Sequence, residues 1–283
     1  MSFAPTSRER FYSWRRKRLG KAIKHGRLRS LEALLAPRIS LDAILAASRS
    51  VEKGIPADVI DRFRGSDIVL IGPGEQGLTE NELERVGVVA RMGFSGPSSV
   101  PKRTTSRCDI GFYTGTHVAR LRDVDGSGGW SSQVPAVAVF RCEVASESLT
   151  GLSDQVRAVS FDDNPVKEAF RGIIPNFGPE VIVYLLALDP SRLVITHIDL
   201  FTTARYPAGY ANKNVIKVNN THQAREREAV HRSLSWHNPF THFSFFQALA
   251  QSQRIVMSNQ LEAIVASGRH AYRRRLTELY FDS

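Results

Sequence analysis

Between Pro175 and Phe201 the chain reads PNFGPEVIVYLLALDPSRLVITHIDLF: a loop, an apolar helix, a short turn, then a strand ending in acid. The polar residues Thr196, His197 and Asp199 cluster near the C-terminal end of that predicted strand, VITHIDLF. In an open α/β sheet the carboxyl ends of the strands border the crevice in which ligands bind. A second strand–turn–helix unit lies upstream, where DIVLIGPGEQGL runs from Asp67 to Leu78. Two such units in one chain point to a domain that handles nucleotides or sugar nucleotides.

Further strands are expected at VGVVARM, DIGFY, VPAVAVFRCEV and RIVMS, the first nearly continuous in apolar residues as a buried parallel strand is. Ser40 is a plausible N-cap for the helix LDAILAASRSVE, and Gly54 a plausible stop. A short helix is expected over 164–172, an amphipathic helix over HNPFTHFSFFQALAQSQ, and a basic helix at the C-terminus. Residues 202–236 are long, polar and irregular, the pattern of a lid or binding loop. The fold expected is a single Rossmann-like α/β domain over residues 56–283, with a mostly parallel sheet and helices on both faces. A basic helical arm over residues 1–55 precedes it.

The net charge of +10 resembles a nucleic-acid signal until it is located. Residues 8–29 hold ten Arg and Lys against Glu9 alone, so this one segment carries all but a single unit of the charge. Phe11, Trp14, Leu19 and Ile23 recur there at helical spacing, with cations around the rest. Such a helix suits an anionic membrane surface; a stripe packed on the domain and a nucleic-acid arm are the other readings. No nucleic-acid module follows to complement the arm. No apolar run reaches the ~20 residues of a membrane span, and Cys108 and Cys142 lack metal spacing. Both cysteines read as small buried residues in a reducing, intracellular protein. The expected location is the cytoplasm, with a peripheral hold on the inner membrane face through residues 8–29.

GPGEQG at 72–77 matches a phosphate-binding glycine turn after a strand, in which backbone N–H groups approach phosphate. No acid ends VGVVARM to hold a ribose; Arg91 stands there and could take the 2′-phosphate of NADP, which keeps an NADP-dependent oxidoreductase open. His237 and His242 flank Pro239 at a spacing unlike any common zinc motif, and no metal is expected. His237 precedes a Pro-bounded helix start, where a helix end keeps an imidazole neutral and able to accept a proton. His197 reads as a hydrogen-bonded residue of an apolar strand. Asp199 either hydrogen-bonds an acceptor sugar or caps the adjacent loop.

The order of segments LIGPGEQGL, VVARMGFSGP, PNFGPEVIVYLLAL with VITHIDLF, and WHNPFTHFSFFQAL resembles the sialyltransferase-like glycosyltransferases over residues 67–265. Pro73 and Gly74 stand where that family has Asn and Ser, Gly93 follows Arg91-Met92 in place of Asn, and Asn176-Phe177-Gly178 replaces a hydroxyl-rich loop. The resemblance implies inverting transfer of a sialic acid or Kdo type sugar from a CMP-activated donor to a glycan or glycolipid, without a cofactor. It implies that His237 is the general base. It places the donor nucleotide against Gly72, Pro73, Gly74, Arg91, Asn176, Phe177 and Gly178. Arg205, Tyr206, Tyr210 and Lys213 become candidates for the leaving phosphate, and Asp199 for the acceptor.

Overall fold

The computed structural model describes residues 38–73, 81–82, 85, 87–94, 107–123, 134–142, 144, 149–171, 173–202 and 237–280. Seven strands run through the centre: β1 (Asp67–Ile71), β2 (Val88–Met92), β3 (Ile110–Tyr113), β4 (Val137–Arg141), β5 (Arg157–Phe161), β6 (Arg192–Thr196) and β7 (Ile255–Met257). All pair in parallel, in the order β5-β4-β3-β2-β1-β6-β7. From β1 the chain walks outward to the β5 edge, then crosses back to lay β6 on the other flank of β1. β1 and β6 are therefore neighbours whose onward connections diverge, which makes the gap between their carboxyl ends the switch point of the sheet.

Eight described helices accompany the strands: α1 (Leu41–Glu52), α2 (Ala57–Phe63), α3 (Gly115–Asp123), α4 (Asn164–Ala169), α5 (Phe177–Ala187), α6 (Pro239–Leu249), α7 (Asn259–Ala266) and α8 (Gly268–Tyr280). Ser40 Oγ accepts from Ala43 N at 3.2 Å and starts α1, whose Ile44, Ala47 and Val51 then fall on one buried stripe. That stripe packs on α4, α5 and α6, so the helix grouped above with the N-terminal arm shares the core of the α/β domain. Apart from Glu180, α5 is apolar all round, and every residue from Gly178 to Leu185 is buried. Its Val181, Ile182, Val183 and Leu185 each contribute about 1.5–3 kcal/mol on burial. The opposite face of the sheet carries α3, whose Val118 and Leu121 cover Tyr113, Ala138 and Phe140. This is one Rossmann-like α/β domain with helices on both faces.

Several elements depart from the sequence reading. β5 was not expected, nor was α3 after β3. The predicted strand VITHIDLF stops at Thr196, and His197 leaves the sheet with φ +56°. α6 is buried on nearly every side rather than amphipathic, because it lies against both α1 and α7. The basic C-terminal segment is two helices, broken at Gly268, whose φ is +81°. Cys142 is exposed and Cys108 half-buried, not the pair of buried thiols expected. Among the described residues no helix is long and apolar enough to cross a membrane.

Candidate active site at the carboxyl edge

At the switch point, the Gly72 N–H donates to the Thr196 carbonyl at 2.9 Å, continuing the β1–β6 ladder one step beyond the strands. The chains are so close there that a Cβ on Gly72 would overlap the His197 carbonyl oxygen and lie 2.5 Å from Ile198 Cγ1. Only glycine fits. The segment after β6 turns sharply: His197, Leu200 and Phe201 all have positive φ, at +56°, +49° and +65°. Each such residue costs roughly 1–2 kcal/mol, and local bonds hold them. Asp199 Oδ1 accepts from Phe201 N at 3.1 Å, and the Asp199 carbonyl accepts from Thr202 Oγ1 at 2.6 Å. Tyr272 OH donates to the Leu200 carbonyl at 2.7 Å, which ties α8 to the same turn. The Asp199 side chain thus caps this turn, one of the two roles open to it from sequence.

His197 is buried, with Nδ1 3.1 Å from Thr196 Oγ1. Burial, and secondarily the Arg91 cation, pushes its pKa down to about 4, so the ring is neutral near pH ~7.

Two helix starts face this turn. Asn176 caps α5, its Oδ1 accepting from Gly178 N at 2.9 Å. Asn238 caps α6, its Oδ1 accepting from Phe240 N at 2.9 Å and Thr241 N at 3.3 Å. His237 immediately precedes that cap and is partly buried. Its Nδ1 lies 3.1 Å from the Ile174 carbonyl, an acceptor only, which places the ring proton on Nδ1 and leaves Nε2 basic. Burial lowers the His237 pKa, the Ile174 carbonyl opposes this, and the Arg141 charge adds to the lowering. The ring is neutral near pH ~7, chiefly through desolvation.

Ile198 connects the two sides. It packs at Gly72, and its Cδ1 lies 4.0 Å from where a Gly178 Cβ would be. The Gly72 corner and the Asn176-Phe177-Gly178 bend are thus neighbours at the carboxyl edge, and the His237 turn joins them through the Ile174 carbonyl. A fourth piece joins them from β3 and α3. His117 Nδ1 accepts from Thr114 N at 3.1 Å, and its ring lies 5.7 Å from that of Phe177. The same ring covers Gly93, whose φ is +64° and whose Cβ would come 2.7 Å from it. A side chain in place of Gly93 would displace His117.

Arg91 is turned inward. It is 5% exposed, and its Nε donates to the Arg107 carbonyl at 2.9 Å. Pro73, half-buried, follows Gly72 at the end of β1. Gly74, Arg205, Tyr206, Tyr210, Lys213 and the arm of residues 8–29 lie outside the described residues.

Sequence reasoning missed a charged cluster beside His237. Arg141, at the end of β4, donates through NH2 to Asp163 Oδ2 at 2.7 Å and to Glu180 Oε1 at 2.8 Å. Lys167 Nζ reaches Asp163 Oδ1 at 2.8 Å. Burial raises the Asp163 pKa, but Lys167 and Arg141 outweigh it and hold the carboxyl below its usual range. Glu180 is fully buried in the first turn of α5. The available signal was a lone acid inside the apolar run FGPEVIVYLLA and a lone base closing VAVFR. Cys142, Asp162 and Asp163 form the one metal-shaped group among the described residues, and its buried member is already engaged by two cations.

The fold defines the class: an open, all-parallel α/β domain with buried polar groups gathered at the strand carboxyl ends. Compared with protein-family models and with curated proteins, the chain matches none.

Proposed function

We propose that this protein is an inverting glycosyltransferase that moves an acidic sugar from a CMP-activated donor to a glycan or glycolipid. His237 Nε2 takes the proton of the acceptor hydroxyl as that oxygen attacks the anomeric carbon. The bond from that carbon to the donor phosphate breaks, and its electron pair leaves with CMP. The positive dipole end of the α5 N-terminus is assigned to the departing phosphate. Arg205, Tyr206, Tyr210 and Lys213 are assigned to the same phosphate, and Gly74 with Gly72 and Pro73 to the donor nucleotide. No cofactor takes part.

The observation that carries this reading is the meeting of a glycine corner, a capped helix start and a neutral, partly buried imidazole at one switch point. The NADP reading is weaker, because the Arg91 on which it rests is buried and bonded within the fold. Thermal-shift titration separates the two. CMP at a hundredfold excess over its Kd stabilises the fold by about 3 kcal/mol, and NADPH leaves it unmoved. His237→Ala keeps the CMP shift and loses about 100- to 10,000-fold in transfer rate. Stabilisation by NADPH alone, or undiminished transfer by the folded variant, overturns the assignment. The basic segment 8–29 supplies a peripheral hold on the cytoplasmic membrane face. Flotation with anionic liposomes, compared with a chain lacking residues 1–30, tests that hold; equal flotation removes it.

A further inference from the structure

His242 lies one turn into α6 and is 1% exposed. It makes two hydrogen bonds of opposite sense. The Asn176 N–H donates to its Nε2 at 2.8 Å, which requires a lone pair on that nitrogen. The ring proton is therefore on Nδ1, which donates to the Asn238 carbonyl at 2.8 Å. Each partner is a helix cap, Asn176 for α5 and Asn238 for α6. One ring thus joins two helix starts that are far apart in sequence.

The same ring packs near three other side chains of this region. Its centroid is 5.4 Å from Phe170 and 6.5 Å from Phe201, the latter in the strained turn after β6. The His237 ring stands nearly perpendicular to it at 6.1 Å. His237 also hangs on the loop that His242 holds, through its contact to the Ile174 carbonyl. Freeing the Asn176 N–H would release that loop and leave a polar group unpaired beside a buried ring.

Resting on the transferase reading above, we propose that His242 is a positioning residue, a neutral strap that keeps the base His237 and the donor-side start of α5 in one fixed geometry. An imidazolium there would set two N–H groups against each other at Asn176. Burial, with His237 adding to it, pushes the His242 pKa down to about 3 and prevents this.

The test compares His242→Gln with His242→Leu. The Gln amide offers an acceptor and a donor on one planar group, whereas Leu keeps apolar volume and neither bond. The first measurement needs no activity: nitrogen-15 shifts of the His242 ring and hydrogen exchange at the Asn176 amide. The strap requires an unprotonated Nε2 and a protonated Nδ1. It also requires Asn176 exchange that is slow in the wild type and Gln variant and at least about tenfold faster in the Leu variant. A protonated Nε2, or equal protection in the Leu variant, overturns it. In the transfer assay the Leu variant loses about 100-fold in kcat with little change in KM, and Gln restores kcat to within about threefold of wild type. A folded Leu variant with wild-type kcat also overturns it. Should the Leu variant not fold, the ring shifts and the Gln variant decide the question. Should the wild type transfer nothing from CMP donors, the transferase reading falls, while the shifts and exchange rates still judge the strap.

Discussion

The two edges of the sheet treat charge in opposite ways. At the amino edge, Asp67 pairs with Arg192 at 2.7 Å, Arg157 with Asp58 at 2.9 Å and Arg254 with Asp189 at 2.8 Å. The side chains of all six are at least 38% exposed. At the carboxyl edge, Arg91, Asp163, Glu180, His197, Asn238 and His242 are all at most 5% exposed. Desolvating a charge or a polar group costs free energy unless it is fully bonded. The amino edge avoids that cost and the carboxyl edge accepts it repeatedly. Strain follows the same division: among the described residues, three of the five non-glycine residues with positive φ lie in the turn after β6. A fold tolerates such expense where a fixed arrangement of polar groups is useful, and the switch-point crevice is where this sheet concentrates it.

The largest effect on stability belongs to Arg141. Arg141→Met keeps much of the side-chain volume and leaves the buried Asp163 and Glu180 without the cation that bridges them. Removing one partner from such a group costs about 3–5 kcal/mol, read as a lowered urea midpoint at constant slope. Arg141→Lys recovers only part, since an ammonium cannot reproduce the fork that meets Asp163 through Nε and NH2 together. A Met variant as stable as wild type would remove the asymmetry between the edges.

Acid sharpens the comparison. His197 and His242 have pKa values of about 4 and about 3 in the folded chain, against 6.5 for an ordinary histidine. The unfolded chain takes up these protons first, so both contributions are complete above pH ~6.5 and shrink as the pH falls toward the folded values. They amount to about 3 kcal/mol for His197 and about 5 kcal/mol for His242. At the amino edge, Asp67 is held below its ordinary 3.8, first by Ser191 and then by Arg192, so its contribution fades only in stronger acid. Urea midpoints between pH ~6.5 and ~4.5 therefore report the carboxyl edge. A midpoint flat across that window would show that these histidines are not held neutral.

How much of this was legible beforehand follows from the physics of each piece. β1, β2, β4 and β6 were readable because strands buried on both faces are continuous in apolar residues. β5 was not: it is an edge strand, RAVSF, with Arg157, Ala158 and Ser160 exposed, so its apolar signal is only Val159 and Phe161. The turn at His197 was read as strand because alternation in VITHIDLF suits a strand. The strand ends where His197 takes φ +56° beside Gly72, a tertiary contact that no local pattern encodes. His237 stood out through its helix-start context and the bend at Gly72 through its glycine turn, whereas Asn176 was reached only through the family resemblance. The Arg141–Glu180 bond and the His242 strap depend on which strand ends and helix starts meet, and those pairings are set only once the sheet order exists.

The smallest predicted effect is the one that tests the amino edge itself. Arg192 NH2 lies 2.7 Å from Asp67 Oδ2, with side chains 51% and 38% exposed. Water can solvate both groups when the pair is broken, and Ser191 Oγ still donates to Asp67 Oδ1 at 2.6 Å. Arg192→Ala should therefore cost under about 1 kcal/mol, and less at high salt, where exposed charges are screened. The urea midpoint of this variant, measured at low and at high ionic strength, reads both quantities. A loss as large as that of Arg141→Met, insensitive to salt, would mean that geometry rather than solvent sets the energetics at the amino edge. The contrast between the edges would then be one of exposure alone.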